Sequence, residues 1–200
     1  RVIGKRLGNV SADSLVSVLA AGDSIIRGIE WRASIQIAVG VKSIYTNQSG
    51  SWAQINNSGG SAYTHAADVS KVTFVEGDGH LFICIDGANK IQVYRSGANL
   101  DAALNNAATY TEIYSGTNTV TGTWGTAYYI GVWFHGRLCF STGNSILEFT
   151  DVNQPWDLTG GGYWQCKGNI IAAAVFVPRG LSSPVEYLFI FTTAGLQILA

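Results

Sequence analysis

Methionine is absent from this chain, proline occurs only three times, and charged residues make up 12% of its 200 positions. Each shortage excludes something. Without Met at its head, Arg1 is not a translational start, so the sequence reads as processed or as one piece of something longer. The strand-like run 195–200 at the other end leaves an open edge and reads the same way. A charged fraction about half the usual share leaves a surface that partners, or many Ser, Thr, Asn and Gly, must cover. With a net charge of -1 there is no global basic field to draw the chain toward nucleic acid or an anionic membrane. No run approaches the roughly 18 apolar residues of a membrane helix, and residues 1–18 carry no signal-peptide pattern. Three cysteines, Cys84, Cys139 and Cys166, are too few and too far apart for a disulfide framework and read as buried thiols.

What is present is apolar and glycine-rich. Hydrophobic residues make up 47%, with 24 Gly, six Trp, nine Tyr and eight Phe. A chain of this length buries a sizeable core in one domain. Its central stretch is residues 133–156. Trp133-Phe134 and 137–141 are strand-like, Gly143-Asn144-Ser145 breaks the chain, 146–150 begins another strand, and 151–155 is dense in turn residues.

The same unit recurs. Residues 29–40 alternate, with Ile35, Ile37 and Val39 on one face, and 41–46 reads as their partner strand. A meander follows from Lys71: strand 72–75, turn 76–79, strand 80–85, turn 86–89, strand 91–94. The third unit is the central stretch, preceded by 128–132. The fourth runs 170–177, then a loop to Pro184, 186–192, a turn at 193–195, and 196–199. Aligned on Gly40, Gly87, Gly143 and Gly195, the units are 47, 56 and 52 residues apart. An all-β unit repeating near every 50 residues is the mark of propeller blades. The expected fold is therefore all-β: a propeller-like array of about four antiparallel blades, possible as part of a larger propeller. Residues 1–200 form a single propeller domain or propeller fragment, with units at approximately 19–57, 68–101, 126–159 and 168–200. A β-sandwich is the competing architecture, and a helix over 172–177 is disfavoured by the neighbouring β-branched residues.

Chemistry is sparse. His65, His80, His135, Cys139 and Cys166 are the soft-ligand candidates, but residues four apart on a strand, such as His135 and Cys139, lie roughly 13 Å apart, too far for one zinc. The acids Asp23, Asp68, Asp78, Asp86, Asp101, Asp151 and Asp157 fall mostly in turns, where Asp bonds nearby backbone. No nucleophile elbow, phosphate loop or catalytic-cysteine context occurs, and Gly160-Gly161-Gly162 reads as a loop. No catalytic, cofactor or metal residue is assigned, and no enzyme activity is expected. The run 46–52 resembles the Asp box of sialidase-type propellers, with Gln48 at the Asp position and Trp52 one residue early; that box is a folding element. Basic residues are dispersed, with Arg27 and Arg32 flanking one strand, Lys90 and Arg95 another, and Arg137 and Arg179 near turns.

Within 133–156, Arg137-Leu138, Phe140-Ser141, Asp151, Asn153, Pro155 and Trp156 stand where a recurrent blade of short-tailed bacteriophage tail-hub or nozzle proteins has the same residues. These are the packaged-DNA stabilisation and tubular-tail proteins. Gly136 replaces their Asn, and the specific likeness covers about 25 residues. The resemblance implies a non-enzymatic virion structural protein made in the host cytoplasm. It implies a homo-oligomeric ring, often hexameric, below the portal and its adaptor, through whose channel double-stranded DNA passes without sequence recognition. No cofactor and no membrane insertion are implied. A carbohydrate-binding or sialidase-like propeller and a generic protein-binding propeller scaffold are the alternatives.

Overall fold

The computed structural model describes residues 15–31, 35–48, 50–105, 108–112, 116–178 and 185–200. Arg32, Arg179, most of the loop before Pro184 and the apolar positions Leu7 and Val10 lie outside them.

Among the described residues, seventeen strands build four main sheets and one hairpin, all antiparallel between neighbours in sequence. The first sheet holds β1 (Ile25–Trp31), β2 (Ile35–Gly40), β3 (Ile44–Gln48) and β4 (Ser51–Gln54). The second holds β5 (Val72–Gly77), β6 (His80–Ile85), β7 (Gln92–Tyr94) and β8 (Ala102–Ala103). A two-stranded hairpin, β9 (Thr109–Glu112) and β10 (Gly116–Thr119), separates it from the third sheet. That sheet comprises β11 (Ile130–Phe134), β12 (Arg137–Ser141), β13 (Ile146–Phe149) and β14 (Gly162–Gln165). The fourth has three strands, β15 (Ile170–Phe176), β16 (Tyr187–Thr192) and β17 (Gly195–Leu199).

The turns explain the repeat. Between β5 and β6, Asp78 and Gly79 both take positive φ (47° and 65°), and between β11 and β12 His135 and Gly136 do the same (49° and 71°). Two successive left-handed residues form the hairpin turn whose twist matches its strands. The repeating glycines all mark the turn from the second strand to the third, Gly40 as the last residue of β2 and Gly195 as the first of β17, yet not for one reason. Gly143 has a φ of 83°, whereas Gly40 is held small by Asp23, whose carboxylate oxygen would lie 2.5 Å from an added Cβ.

Sheets stack face to face. One buried cluster joins the first and second sheets through Ile37, Val39, Ile44, Leu81, Ile83 and Ile85. Another joins the second sheet, the hairpin and the third through Phe82, Val93, Tyr110, Leu138, Phe140 and Trp156. A third joins the third and fourth sheets through Val132, Leu147, Cys166, Leu188 and Ile190. The first strands β1, β5, β11 and β15 neighbour one another in that order along the inner edge of the array. The outer face of the first sheet is covered by Leu15, Val18 and Leu19, against Ala38, Tyr45 and Trp52.

Three expectations need correction. The alternating run 29–40 is two strands, since Ile29 pairs with Ile37 across the β1–β2 hairpin. Gly162 starts β14, paired with Phe149, so only Gly160 and Gly161 belong to the loop. The hairpin at 109–119 falls between the expected units; its Thr, Ser, Gly and Asn residues carry no apolar alternation.

All three cysteines are free and buried, and burial pushes the thiols of Cys84 and Cys139 up to about 12. A thiolate is the reactive form. Ellman's reagent at pH 8 is therefore expected to leave both unmodified in the folded chain and to titrate all three thiols after unfolding. Rapid native reaction of Cys84 or Cys139 would contradict this packing.

Candidate functional site

Residues 137–156 span β12, β13 and the turns that follow each, and each residue of the phage-like motif has an intramolecular place there. Arg137 Nη1 donates to the Thr150 carbonyl at 2.8 Å, stands 3.9 Å from Asp151 Oδ1, and its guanidinium lies 5.2 Å from the Phe149 ring centroid. Leu138 is fully buried, and its N–H donates to Thr150 Oγ1 at 3.1 Å. Phe140, also fully buried, stacks on Trp124 and meets Tyr128 edge-on at 4.6 Å. Ser141 Oγ donates to the Ile146 carbonyl at 2.8 Å and accepts from Gly143 N–H at 3.1 Å, clamping the β12–β13 turn.

The outer part of the loop folds back. Asp151 N–H donates to the Asp157 carbonyl (2.9 Å), and Asp151 Oδ1 accepts from Val152 N–H (2.7 Å). Asn153, at a φ of 55°, donates its N–H to the Gly136 carbonyl at 2.7 Å, tying the loop to the β11–β12 turn. A side chain at position 136 would meet Asn153 Oδ1 at 2.4 Å. Pro155 is buried. Trp156 is 8% exposed, 5.2 Å from Tyr110, and its carbonyl accepts from Thr121 N–H. Arg137, Ser141, Asp151 and Asn153 thus each close a bond within the fold, and Leu138, Phe140 and Trp156 fill the seam between the second and third sheets.

A second polar group was not legible in the sequence. His80, fully buried at the start of β6, holds Nδ1 2.8 Å from the Asp78 carbonyl and 2.8 Å from Tyr110 Oη, while Tyr110 donates to Asp78 Oδ2 at 2.9 Å. His80 Nε2 lies 3.3 Å from Asp101 Oδ2, which Arg95 Nε approaches at 3.6 Å. Tyr110 comes from the hairpin, so the cluster fastens β9 to the second sheet. His80, Asp78, Asp101 and Arg95 were each visible in the sequence, but Tyr110 and the convergence were not, because Asp101 and Tyr110 lie 21 and 30 residues beyond His80.

The other candidates are dispersed. His65 bonds Tyr63 Oη through Nδ1 at 3.2 Å, and burial lowers its pKa. His135 is half exposed and stacked on Phe134, its N–H donating to Glu186 Oε2 at 3.0 Å. Among the described residues, no three His, Cys, Asp or Glu side chains converge as a metal site. Arg27 donates to the Val72 carbonyl, Lys90 to the Trp124 and Gly125 carbonyls, and Lys71 lies over the Tyr129 ring. Gln48, at the Asp-box position, bonds Tyr94 Oη and the Gly97 carbonyl beside the β3–β4 turn. No described helix is long and apolar enough to cross a membrane.

Asp86 carries a pH signature. Burial works to raise its pKa, but bonds from Ser70 Oγ (2.5 Å), Ser70 N–H (2.8 Å) and Lys71 N–H (3.0 Å) outweigh it and hold the carboxyl below its usual value. A depressed folded-state pKa gives stability that is present above about pH 4 and lost as pH falls through the folded value. Asp86→Asn is expected to lower neutral-pH stability by about 1–2 kcal/mol and to flatten the acid limb of the urea midpoint. An unchanged acid limb would contradict the assignment.

Two shallow surface features remain. A groove of about 450 Å³ is lined by Asn144, Ile146, Glu148, Leu158, Gly162 and Tyr163. The fourth sheet turns Ile171, Phe176, Phe191, Leu196 and Ile198 outward, each between 45% and 62% exposed.

No family model matches the sequence, and no curated protein matches it. Solved structures do. BBS1N in complex with ARL6DN, soaked with lead, aligns at a TM-score of 0.50 and 13% identity, over 90% of this chain and 53% of that one. The chain thus spans about half the length of that protein. The computationally designed Ika4 protein aligns at 0.49 and 9% identity, over 91% of this chain and 94% of its own. Ika8, also computationally designed, aligns at 0.38 and 9% identity, over 84% and 56%. At such identities the BBS1N likeness is one of fold alone, and it agrees with the sheet order: the chain is an all-β, propeller-like array of antiparallel blades.

Proposed function

We propose that the chain is a non-enzymatic structural protein of a phage tail or neck, a nozzle or hub subunit forming part of a ring around the DNA channel. The observation that carries this reading is the stretch 137–156. All eight residues that carry the phage resemblance serve the fold: Leu138, Phe140 and Trp156 pack the seam between the second and third sheets, Arg137, Ser141, Asp151 and Asn153 bond within the third blade, and Pro155 is buried. A chain whose most characteristic residues serve its own fold fits a structural subunit better than an enzyme. The low charge of the chain fits a subunit whose interfaces replace a hydrated surface. Its partners are further copies in a ring, portal and adaptor proteins, and passing double-stranded DNA contacted without sequence recognition; its place is the virion.

A glycan-binding propeller is the second reading. It rests on the groove beside exposed Tyr163, where Glu148 and Asn144 offer polar contacts next to an aromatic face. Among the described residues no arginine lines that groove, which counts against a sialidase-like site. Negative-stain electron microscopy together with a glycan array separates the two. Ring particles with an open centre and a blank array are expected; isolated monomers that bind glycans would contradict the assembly reading.

A further inference from the structure

The buried cluster around His80 holds a hydrogen-bonding conflict that a neutral ring cannot resolve. Tyr110 Oη carries one hydrogen and gives it to Asp78 Oδ2 at 2.9 Å. Toward His80 Nδ1, 2.8 Å away, that hydroxyl can then only accept, and so can the Asp78 carbonyl, also at 2.8 Å. Nδ1 therefore bears a hydrogen. At the other end of the ring, Nε2 stands 3.3 Å from Asp101 Oδ2, too close for a water to sit between them. Apart from that approach, neither atom has a hydrogen-bond partner among the described residues, and both are shut off from solvent.

A ring with a single hydrogen leaves acceptors facing each other whichever nitrogen holds it. On Nδ1, it sets the bare Nε2 lone pair against the Asp101 carboxylate. On Nε2, it satisfies Asp101 but sets the Nδ1 lone pair against the Asp78 carbonyl. If the tyrosine then turns its hydrogen to Nδ1, Asp78 Oδ2 loses its donor. One further hydrogen removes every conflict: Nδ1–H serves the Asp78 carbonyl and Tyr110 Oη, and Nε2–H serves Asp101. The charge is balanced in place, as a buried cation requires. Asp78, from the β5–β6 turn, and Asp101, from the segment between β7 and β8, oppose the imidazolium. Arg95 Nε lies 3.6 Å from Asp101 Oδ2, and Tyr94 of β7 is within electrostatic reach of the same carboxylate. Imidazole is ordinarily a stronger base than a carboxylate, so the proton rests on nitrogen.

We infer that His80 is held as an imidazolium in the folded chain, and that its second proton latches the β9–β10 hairpin onto the second sheet. Loss of that proton forces one of the conflicts above. Either the ring turns away from Asp101 or Tyr110 loses the Nδ1 hydrogen, and each loosens the seat of Tyr110 between His80 and Trp156. A detached histidine faces no such pair of acceptors, so the docked state binds the proton more tightly and docking weakens as pH rises. The sign is opposite to that of Asp86. Because Tyr110 packs in the seam between the second and third sheets, the latch governs how firmly those two blades close. The device lies within one chain and stands whether or not copies assemble.

Long-range proton–nitrogen NMR of the isotope-labelled full chain reads both ring nitrogens, the His80 signals being those absent from His80→Gln. At about pH 7 both are expected to be protonated. Hydrogen exchange at Thr109–Glu112 and Gly116–Thr119 is measured as a ratio to the first-sheet amides, so that base catalysis cancels. The ratio is expected to rise at least about threefold from about pH 6.5 to about pH 8.5. Asp101→Asn is the decisive variant, because its amide can donate to a bare Nε2 and the second proton is no longer required. It is expected to keep the hairpin docked, with one protonated ring nitrogen at about pH 7 and a flat ratio, Cys84 and Cys139 still protected. A singly protonated His80 in the wild type overturns the inference, even if the variant does not fold. So does a flat ratio in the wild type, or a ratio in folded Asp101→Asn that climbs as the wild type's does.

Discussion

Gly77→Val is expected to lower stability by about 3 kcal/mol or more, enough to unfold a chain of ordinary marginal stability. Gly77 ends β5, and an added Cβ would lie 2.2 Å from Trp133 Cδ2 and Cε3, far inside van der Waals contact. Its backbone is not left-handed, so the glycine is required by space and not by conformation. Trp133, on β11, lies parallel to Phe82 of β6 at 6.0 Å, which fixes the indole over the end of β5. Gly131 repeats the device one seam position away, its Cβ direction blocked by Cys84 Sγ at 2.6 Å and Val75 Cγ2 at 2.8 Å. Two glycines thus let adjacent inner strands approach closely. Urea titration supplies the number, and a cycle supplies the cause: Gly77→Ala should be markedly less harmful when Trp133 is already alanine. Gly59→Ala, whose nearest new neighbour is Asn57 Oδ1 at 3.3 Å, should change little. If Gly77→Ala and Gly59→Ala behave alike, the close seam is misdescribed.

Trp156→Ala is the second large effect, at about 3–5 kcal/mol. The indole is nearly buried at the junction of three units: its own loop, Tyr110 of the hairpin and the second-to-third seam. Its removal leaves a void beside Tyr110 in a cluster stiffened by aromatic rings such as Trp124 and Phe140, which cannot collapse to fill it. Loss should therefore spread to the hairpin, and hydrogen exchange at 109–119 should accelerate more than in the first sheet. Arg137→Ala, at a partly exposed position with a backbone bond and a long ion pair, should be milder. Equal exchange acceleration in every sheet would place Trp156 in a uniform core instead of at a junction.

The sequence made the strands and tight turns legible because both are local. Asp78-Gly79 announces its hairpin, and the apolar runs at 80–85 and 187–192 announce strands. The four glycines mark equivalent turns even though Gly40 and Gly143 are needed for different reasons. Outer strands were harder: β8 is two alanines long and β14 begins with the third residue of a glycine run, so neither carries a period. The hairpin at 109–119 was missed because its stability comes from Tyr110 reaching His80 and Trp156, contacts distant in sequence. The motif at 137–156 could be recognised, but not its function. That Arg137 serves the Thr150 carbonyl, and Asn153 the Gly136 carbonyl, depends on how the loop folds back.

The central claim is that this chain acts by assembling, and native mass spectrometry of the purified protein tests it most directly. The account predicts a discrete closed oligomer that dissociates on dilution into smaller units of the same chain, with six copies the number the phage resemblance implies. A chain that flies as a monomer across the whole concentration range, with no larger species, would contradict it.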